Sequence, residues 1–337
     1  MNKEDMKVNR FMSIKNCIIL VLGLLVSVSV KAQYKTSFEL LYASAGMKKT
    51  LEQNAGKLIT EFNNAQGEKR NLSLAGIDIA PEAASSIFTL WEICPFRCDE
   101  IEVVENCTSK LTGGYQVRNI PMIMEPRSGE KFDADRFQTI VLNFDAKGQI
   151  ESLFFGIRSD EYKDLMASDR EVTDLRKRTI ILDFVEQFRT AYNKKDLNFL
   201  QDIFSDDALI ITGRVVQRKT QEGAVAMPGG NVELITQTKK QYLSRLANVF
   251  KNNARINVVF ENIKVNSHRS NKNVYGVKLV QHWNSGSYSD KGYLFLMWEF
   301  DEKDETKPPM IHVRTWQPYN ETPKEKVFEL GDFKINK

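Results

Sequence analysis

The stretch that decides the fold of this 337-residue chain is FVEQFRTAYNKKDLNFLQDIFSDDALIITG, residues 184–213. Apolar residues recur at helical spacing up to Tyr192, which predicts an amphipathic helix over 180–192. The polar run NKKD ends that helix, and the sequence then predicts a short helix over 197–204 and a strand over 208–213. A long helix, a short helix and a strand set the plan for the second half of the chain.

The residues downstream continue with one more helix and four strands. The helix is predicted over 240–250, and the strands over 257–265, 274–283, 292–300 and 310–316, from alternation and intervening turn residues. Residues 214–238 contain several glycines and a proline, and are predicted to form a long loop. Residues 319–337 form a tail with one strand-like piece at 327–330.

The residues upstream follow a similar order. A helix is predicted over 38–66 and a second one opening at Pro81, followed by strands over 101–104, 114–124, 137–144 and 149–157. Pro121 suggests that its strand lies at a sheet edge, and the turn DAKG joins the last two strands into a hairpin. Helices followed by antiparallel strands predict the α+β class.

The segment 158–178 is rich in charge and has only scattered apolar residues. A chain of this length suits two domains, and we place the boundary here. From the N-terminus, the sequence predicts five parts: a signal peptide over 1–32, an α+β domain over 33–158, a charged helical linker over 159–178, a second domain over 179–318 and a tail over 319–337.

Residues 184–213 resemble the opening of the SnoaL-like, nuclear transport factor 2-like (NTF2-like) superfamily. That family opens with a helix ending in an aromatic residue, then a D-L-x-x-L helix, then D-D-A before the first strand. The matching residues here are Tyr192, Asp196, Leu197, Leu200, Asp206, Asp207 and Ala208. The resemblance covers about 171–318, and the first domain is expected to be a degenerate or cystatin-like relative.

The resemblance implies a cone, in which a curved antiparallel sheet wraps a long helix and leaves a pocket between them. The expected fold class is therefore α+β with two tandem cone-like domains. Some members are enzymes, such as ketosteroid isomerase, scytalone dehydratase and limonene epoxide hydrolase, whereas others bind ligands, peptides or further copies of themselves. A homodimer through the sheet face is one such expectation, and fold alone does not settle function.

The N-terminus carries a targeting pattern. Residues 17–30, CIILVLGLLVSVSV, are uncharged, basic residues precede them, and small residues lead to Ala32. This predicts a secretory signal peptide cleaved after Ala32. The apolar run is shorter than the ~20 residues of a membrane span, although an uncleaved anchor is the alternative. We expect an exported periplasmic or extracellular protein with no membrane span after signal removal.

The overall composition, 42% hydrophobic and 27% charged, is that of a folded globular protein. Removing the five Lys/Arg and two Asp/Glu of residues 1–32 leaves 42 charges of each sign. A neutral mature chain gives no reason to expect a nucleic-acid partner.

Three cysteines remain after signal removal: Cys94, Cys98 and Cys107. Their C-x3-C-x8-C spacing, with no histidine nearby, differs from the paired spacing of zinc sites. We therefore expect one local disulfide, joining Cys107 to Cys94 or Cys98, over the alternative of a redox or metal cluster.

Five residues are the candidates for ligand binding: Tyr192, Trp283, His312, Arg314 and Trp316. Tyr192 ends the long helix, the tryptophans come from strands, and His312 alternates with Arg314. Arg314 would supply a fixed charge for an anionic group, because a buried arginine needs a carboxylate from the ligand or the protein. The alternative is that these residues face solvent or a domain interface, since alternation does not say which face is inward.

No catalytic residue, metal or cofactor is predicted. The paired Asp206 and Asp207 are more typical of a turn than of acid–base catalysis, and no histidine has a partner at i+2 or i+4. No nucleophile-elbow, zincin, phosphate-loop or dinucleotide motif occurs. We expect a non-catalytic exported protein that binds a small ligand or a protein partner. The alternative is an isomerase, dehydratase or hydrolase acting in the second-domain pocket.

Overall fold

The structure is a computed structural model that describes residues 34–110, 113–125, 136–166, 172–216, 232–285, 288–304 and 307–334. Residues Lys35–Lys337 form one compact unit. The predicted signal peptide lies outside the described residues. Within those residues, no helix is both long enough and apolar enough to cross a bilayer.

The first half of the chain forms two helices and a six-stranded sheet, called sheet 1. The elements are α1 (Lys48–Gly67), α2 (Pro81–Ile93), β1 (Ser37–Leu41), β2 (Phe96–Arg97), β3 (Glu102–Ser109), β4 (Tyr115–Met124), β5 (Phe137–Phe144) and β6 (Ile150–Phe155). The strand order is β1-β3-β4-β5-β6, and β2 also pairs with β4. The β1–β3 pair is parallel, whereas the other pairs are antiparallel.

The start of the chain differs from the prediction, because 38–41 belong to a strand and not to the first helix. Phe38 and Leu40 are buried while Ser37, Glu39 and Leu41 are exposed. That alternation has the period of two that a half-buried strand requires. The helix begins only at Lys48.

The edge position suggested by Pro121 is also wrong, since β4 lies inside sheet 1. On one side β4 pairs with β5, and on the other it pairs with β3 near Val117 and with β2 near Ile123. Pro121 falls between these last two pairings, where no strand needs its missing N–H.

The second half forms four helices and a second six-stranded sheet, called sheet 2. The elements are α3 (Ser159–Met166), α4 (Val172–Lys194), α5 (Leu197–Ile203), α6 (Lys239–Asn252), β7 (Phe204–Val215), β8 (Val232–Gln237), β9 (Asn257–Ser267), β10 (Val274–Asn284), β11 (Ser289–Glu299) and β12 (Met310–Pro318). The order is β8-β7-β12-β11-β10-β9. β7 and β12 run parallel, and the other neighbours are antiparallel.

The motif at 184–213 folds as predicted for physical reasons that are visible in its caps. Lys195 has a positive φ of 60° and follows the end of α4. Asp196 then caps α5, because its Oδ1 accepts a hydrogen bond from the Phe199 N–H at 3.0 Å. The predicted loop over 214–238 is wrong in part, since β7 reaches Val215 and 232–237 form β8. Residues 217–231 of that prediction lie outside the described part.

Helix α4 contributes an apolar face to the core of sheet 2. Leu182, Val185, Phe188 and Tyr192 are buried there with residues of the strands. The same helix contacts β6 of sheet 1 and β9 of sheet 2. The domain division at 158–178 stays a prediction.

The described parts of the charged segment 158–178 are helical over 159–166 and from Val172 onward, but not all of their charges are solvated. Arg178 is 1% exposed. Its Nε donates to Asp174 at 2.7 Å, and its Nη1 donates to the Val265 carbonyl at 2.5 Å. The beginning of α4 is therefore tied to β9.

The tail covers the outer face of sheet 2, the face that points away from α4. The strand predicted at 327–330 is wrong, because the tail forms two 3-10 turns, Lys324–Lys326 and Leu330–Asp332. Phe333 stacks on Phe295 at 5.4 Å between ring centroids. Together with Phe328 it packs on a small outer cluster of strand residues.

The expected disulfide is absent from the structure. Cys94, Cys98 and Cys107 are all buried thiols in the core of sheet 1. Burial raises the pKa of the Cys98 and Cys107 thiols. The three side chains therefore act as small apolar core residues.

The predicted fold class is confirmed. The chain is α+β, with helices packed on two mostly antiparallel sheets that follow one another in tandem, as expected for two cone-like units. Each sheet departs from a purely antiparallel arrangement by one parallel pair.

Candidate ligand-binding site

The core face of sheet 2, which points toward α4, can be followed residue by residue along β11. Leu294, Leu296 and Trp298 are fully buried in the core that α4 shares. Side chains two apart lie on the same face of a strand. Asp290 and Gly292 therefore also belong to the core face.

The strands on either side place further polar residues beside these two. On β10, Trp283 lies opposite Asp290 and Gln281 lies opposite Gly292. On β12, Arg314 lies opposite Leu296 and Trp316 opposite Leu294. We call the following set of core-face residues the inner band: Gln281, Trp283, Asp290, Arg314 and Trp316.

Gly292 makes room for Trp316 in the inner band. A Cβ added at Gly292 would overlap the Cε2 and Nε1 atoms of the Trp316 indole. The indole therefore lies against the backbone of β11 at Gly292. A glycine inside a strand often marks such a close approach.

Arg314 is the buried cation of the inner band. It is 5% exposed, and its guanidinium carbon lies 4.8 Å from the centroid of the Tyr242 ring. Burial lowers the pKa of Arg314, but Tyr242, a hydrogen bond with Tyr192 and the charge of Asp290 outweigh it and raise that pKa. The arginine is therefore charged at neutral pH.

Tyr192 joins Arg314 to the rest of the inner band. Its hydroxyl lies 2.6 Å from the hydroxyl of Tyr242, on α6. Its ring meets the Trp283 ring edge to face at 5.8 Å. Trp283 in turn is the cross-strand neighbour of Asp290. Tyr192, near the end of α4, therefore lies between Arg314 and Trp283, the neighbour of Asp290.

Asp290 is the acidic residue of the inner band. Its Oδ2 accepts a hydrogen bond from the Tyr288 hydroxyl at 2.7 Å. Burial raises the pKa of Asp290, while the Tyr288 hydroxyl and the charge of Arg314 pull that pKa back down.

Several polar atoms of the inner band have no hydrogen-bond partner. Among the described residues, eleven buried side-chain nitrogen and oxygen atoms lack one. Five of the eleven belong to the band: Nε and Nη1 of Arg314, Nε1 of Trp316, Oδ1 of Asp290 and Oε1 of Gln281. The set contains both donors and acceptors, and leaving such atoms unpaired costs about 1–3 kcal/mol each.

A cleft of about 580 Å³ opens at the end of sheet 2 next to the inner band. Trp283, Asp290 and Trp316 line it, while Gln281 and Arg314 are not among its wall residues. The remaining wall is largely polar: Arg214, Asn257, His282, Asn284, Tyr288, Ser289, Lys291, Asn320 and Glu321. A volume of this size is typical of small-molecule sites.

The structure brings together four of the five residues predicted from the sequence. Tyr192, Trp283, Arg314 and Trp316 lie on the core face, in contact or one strand apart. His312 does not join them, and its assignment to the face of Arg314 is wrong. The register of β12 shifts between Ile311 and Val313, which interrupts the alternation.

His312 instead points to surface carboxylates. Its Nδ1 lies 3.7 Å from Asp207, whose side chain is 85% exposed, and its Nε2 lies 3.7 Å from Glu299. Sequence reasoning also missed Gln281, Asp290 and Tyr242. Gly292 inside a strand pattern was the signal that could have indicated them.

A second buried polar cluster lies on the other side of α4, against sheet 1. We call Arg118, Tyr162, Asp183 and Glu186 the helix-face cluster. Arg118 donates to Glu186 and, at 3.1 Å, to Asp183. Its guanidinium carbon lies 4.1 Å from the centroid of the Tyr162 ring.

Glu186 is the most buried acid of the helix-face cluster. It also accepts the Ile157 N–H at 2.6 Å. Burial, opposed chiefly by the charge of Arg118, raises the pKa of Glu186 to about 7. Because its charges pair with one another, we call this cluster a structural joint, meaning a set of contacts that connects α4 to sheet 1.

Metal binding has no support in the part of the chain that the structure describes. No three His, Cys, Asp or Glu side chains come together there in a group that could hold an ion.

Comparisons with known proteins give matches in structure only. No family model matches the chain, and no curated protein matches its sequence. Among solved structures, the chain is similar to an NTF2-like protein from Cytophaga hutchinsonii, with 15% identity, 42% of this chain and 98% of that one covered, and a TM-score of 0.31. It is also similar to a putative scytalone dehydratase from Novosphingobium aromaticivorans, with 10% identity, coverage of 44% and 87%, and a TM-score of 0.33.

A further similar structure is a protein with a cystatin-like fold from Caulobacter vibrioides, with 10% identity, coverage of 42% and 89%, and a TM-score of 0.30. Similarity at these identities and TM-scores says nothing about activity. The kinds of fold that are found agree with the resemblance to the NTF2-like superfamily that residues 184–213 predict.

Proposed function

We propose that this chain is an exported protein that binds a polar small molecule in the inner band and its cleft, without catalysing a reaction. The observation that carries this proposal is the set of five unpartnered polar atoms on one face of three adjacent strands. Native proteins pair nearly all buried polar groups. A ligand in the cleft would supply partners for Asp290 and Trp316, which line it.

The surroundings of these atoms support binding. Trp283 and Trp316 give the cleft apolar walls, and Asp290 gives it a fixed polar group. Small-molecule sites combine such apolar surfaces with placed polar groups, and in this cleft the polar groups make up the larger part of the wall. Tyr192 fixes the position of Arg314 behind these walls.

The test compares ligand-induced stabilisation of the purified mature protein and of Arg314→Met. A thermal-shift screen with separate sets of sugars, amino acids and organic acids should raise the melting temperature of the wild type with at least one compound. The shift should shrink in Arg314→Met and persist in Thr315→Val, which alters the next side chain on the outer face. If no compound shifts the wild type, or if both variants respond equally, the proposed site is wrong.

Export is part of the proposal and rests on the signal pattern of residues 1–32 alone. Cleavage after Ala32 would leave Gln33 as the first residue. Intact-mass measurement of the protein recovered from the periplasm or medium checks this. A mature mass that still includes residues 17–30 would favour the uncleaved anchor.

A second candidate function, catalysis by an isomerase, dehydratase or hydrolase, is favoured by Asp290. A partly buried carboxylate with a raised pKa and a neighbouring hydroxyl is a candidate general base. A compound found in the screen should then change in mass on incubation with the wild type. Asp290→Asn, incubated with enough of the compound to offset any weaker binding, should not convert it. An unchanged compound after prolonged incubation supports binding alone.

A protein partner, or a second copy held through the outer face of sheet 2, would have to replace the tail. Phe295 and Met297 on that face are covered by Phe328 and Phe333. We propose that the intact chain does not dimerise through this face. Light scattering should give a monomer for 33–337 and self-association for 33–318, where an apolar patch is exposed. A dimer of the intact chain with the tail in place would contradict this.

A further inference from the structure

The unpartnered atoms of the inner band include both hydrogen-bond donors and acceptors, and this mixture indicates the chemistry of the ligand. Of the unpartnered atoms whose residues line the cleft, Trp316 Nε1 is a donor and Asp290 Oδ1 is an acceptor. A ligand that carried only acceptors, such as a simple carboxylate, would leave the Asp290 oxygen unpaired. A ligand that carried only donors would leave the indole N–H unpaired.

Trp316 and Asp290 both line the cleft and lie on the same face of sheet 2. The indole nitrogen lies over Gly292, and Asp290 is the next residue on the same face of β11. Side chains two apart on a strand are about 7 Å apart at their bases. The two atoms do not bond one another. A ligand O–H can accept from an indole N–H and donate to a carboxylate, so one hydroxyl group suits both residues once their side chains turn toward the cleft.

The charges around the cleft do not select a charged ligand. The charged residues of the wall are equal in number, with Arg214 and Lys291 against Asp290 and Glu321. His282 is already paired with Glu261 at 2.8 Å. Since no sign of charge predominates, the field in the cleft favours neither an anion nor a cation.

Resting on the function proposed above, we infer that the ligand is a neutral polyhydroxylated molecule, a mono- or disaccharide. Its hydroxyl groups would pair with Asp290 and Trp316, which line the cleft. Its ring would lie against the indoles of Trp283 and Trp316. Arg314 acts at one remove, because its charge lowers the pKa of Asp290 against the effect of burial.

The experiment uses the purified mature chain and named probes. Saturation-transfer NMR is run with glucose, galactose, mannose, N-acetylglucosamine, maltose and cellobiose, and with glycine, glutamate and citrate as charged comparisons. Calorimetry then gives the affinity of each binder for the wild type, Trp316→Phe, Asp290→Asn and Thr315→Val. Circular dichroism establishes that each variant is folded.

We expect at least one neutral saccharide to bind and the charged probes not to bind. Trp316→Phe keeps a ring but removes the N–H, and should weaken the saccharide at least tenfold. Asp290→Asn should have a similar effect, whereas Thr315→Val should leave the affinity unchanged. If Asp290→Asn does not fold, Trp316→Phe alone decides.

Two outcomes would overturn the inference in different ways. Binding of amino acids or organic acids alone, with loss in Arg314→Met, would make the saccharide class wrong and leave the proposed function standing. A saccharide whose affinity is the same in Trp316→Phe and Asp290→Asn would show that it binds elsewhere. Failure of every probe, including those of the thermal-shift screen, would remove the proposed function as well.

Discussion

The two faces of α4 bury polar groups in contrasting ways. In the helix-face cluster, Arg118 has two carboxylates at hydrogen-bond distance, Asp183 and Glu186. In the inner band, neither Arg314 nor Asp290 has an oppositely charged group within ion-pair distance among the described residues. A structural cluster completes its own pairs, whereas a site for a ligand leaves polar atoms open.

The contrast is one of degree, since Arg118 Nε and Glu186 Oε2 are also unpartnered. Each of these two residues nevertheless has its ionic partner. Removing one side of a buried pair leaves the other charge unpaired, and this is much more costly than removing an ion that has no pair. The following variants test whether the two faces differ in this way.

The largest effect is expected for Arg118→Met, which would leave Asp183 and Glu186 without their cation. Breaking a buried pair from one side costs about 3–5 kcal/mol. Urea unfolding at pH 7 should show a loss of this size. The control is Lys110→Met, which removes the more exposed ion pair with Glu151 and should cost less than about 1 kcal/mol. Equal losses would mean that the helix-face cluster is not a structural joint.

The next effect is the pH dependence contributed by Glu186. Its pKa is about 7 in the folded chain against an ordinary value of 4.5, so the folded state holds the proton up to a higher pH. Its contribution is complete below pH ~4.5 and is lost as pH rises to ~7. The loss is on the order of 3 kcal/mol, from about 1.36 kcal/mol per pKa unit.

Glu186→Gln should remove this slope. The free energy of unfolding in urea is measured for both proteins at pH 4.5, 6 and 7.5. The wild type should lose stability relative to the variant across this window. A constant difference between the two curves would show that Glu186 is ionised throughout.

The third variant, Gly292→Ala, acts on the inner band. The added Cβ would overlap the Trp316 indole, and such overpacking costs about 1–3 kcal/mol. Displacing the indole should also abolish the ligand-induced thermal shift. Gly46→Ala is the matched control, because nothing lies within 4 Å of a Cβ at that position. Unchanged binding in Gly292→Ala would remove Trp316 from the site.

Much of the fold could be predicted from local pattern, and the failures have physical causes. The helices and the strands downstream of Tyr192 follow from periodicity and from caps such as Asp196. Phe38 and Leu40 were assigned to the helix by mistake, because the apolar residues that follow them, from Leu51 on, have helical spacing. Pro121 was misplaced because sequence does not reveal that two short strands share one edge of β4.

The candidate site was predicted in part for similar reasons. Arg314 and Trp316 were placed together because simple alternation holds beyond Val313. His312 was included wrongly because the register shift before Val313 leaves no mark in the sequence. Asp290 and Gln281 come into the site only through cross-strand pairing with Trp283 and Gly292, which requires knowing the register of β10 on β11.

The smallest effect is expected for the stability of Arg314→Met, although Arg314 is as buried as Arg118. The variant loses the cation–π contact with Tyr242, which contributes about 1–2 kcal/mol when desolvated, and the hydrogen bond with Tyr192, about 1 kcal/mol. It also removes two unpartnered N–H groups, whose burial costs a similar amount each. Methionine is long and flexible enough to fill the space.

These terms nearly cancel, so the free energy of unfolding of Arg314→Met should lie within about 1 kcal/mol of the wild type. Urea unfolding without ligand measures it, and Arg118→Met in the same experiment is the reference. A loss of about 3 kcal/mol or more would place Arg314 with the paired arginines. The inner band would then be a second structural joint, and water molecules would pair with its unpartnered atoms. A small loss of unfolding free energy, together with loss of the ligand-induced thermal shift, would mean that Arg314 serves ligand binding and not the stability of the fold.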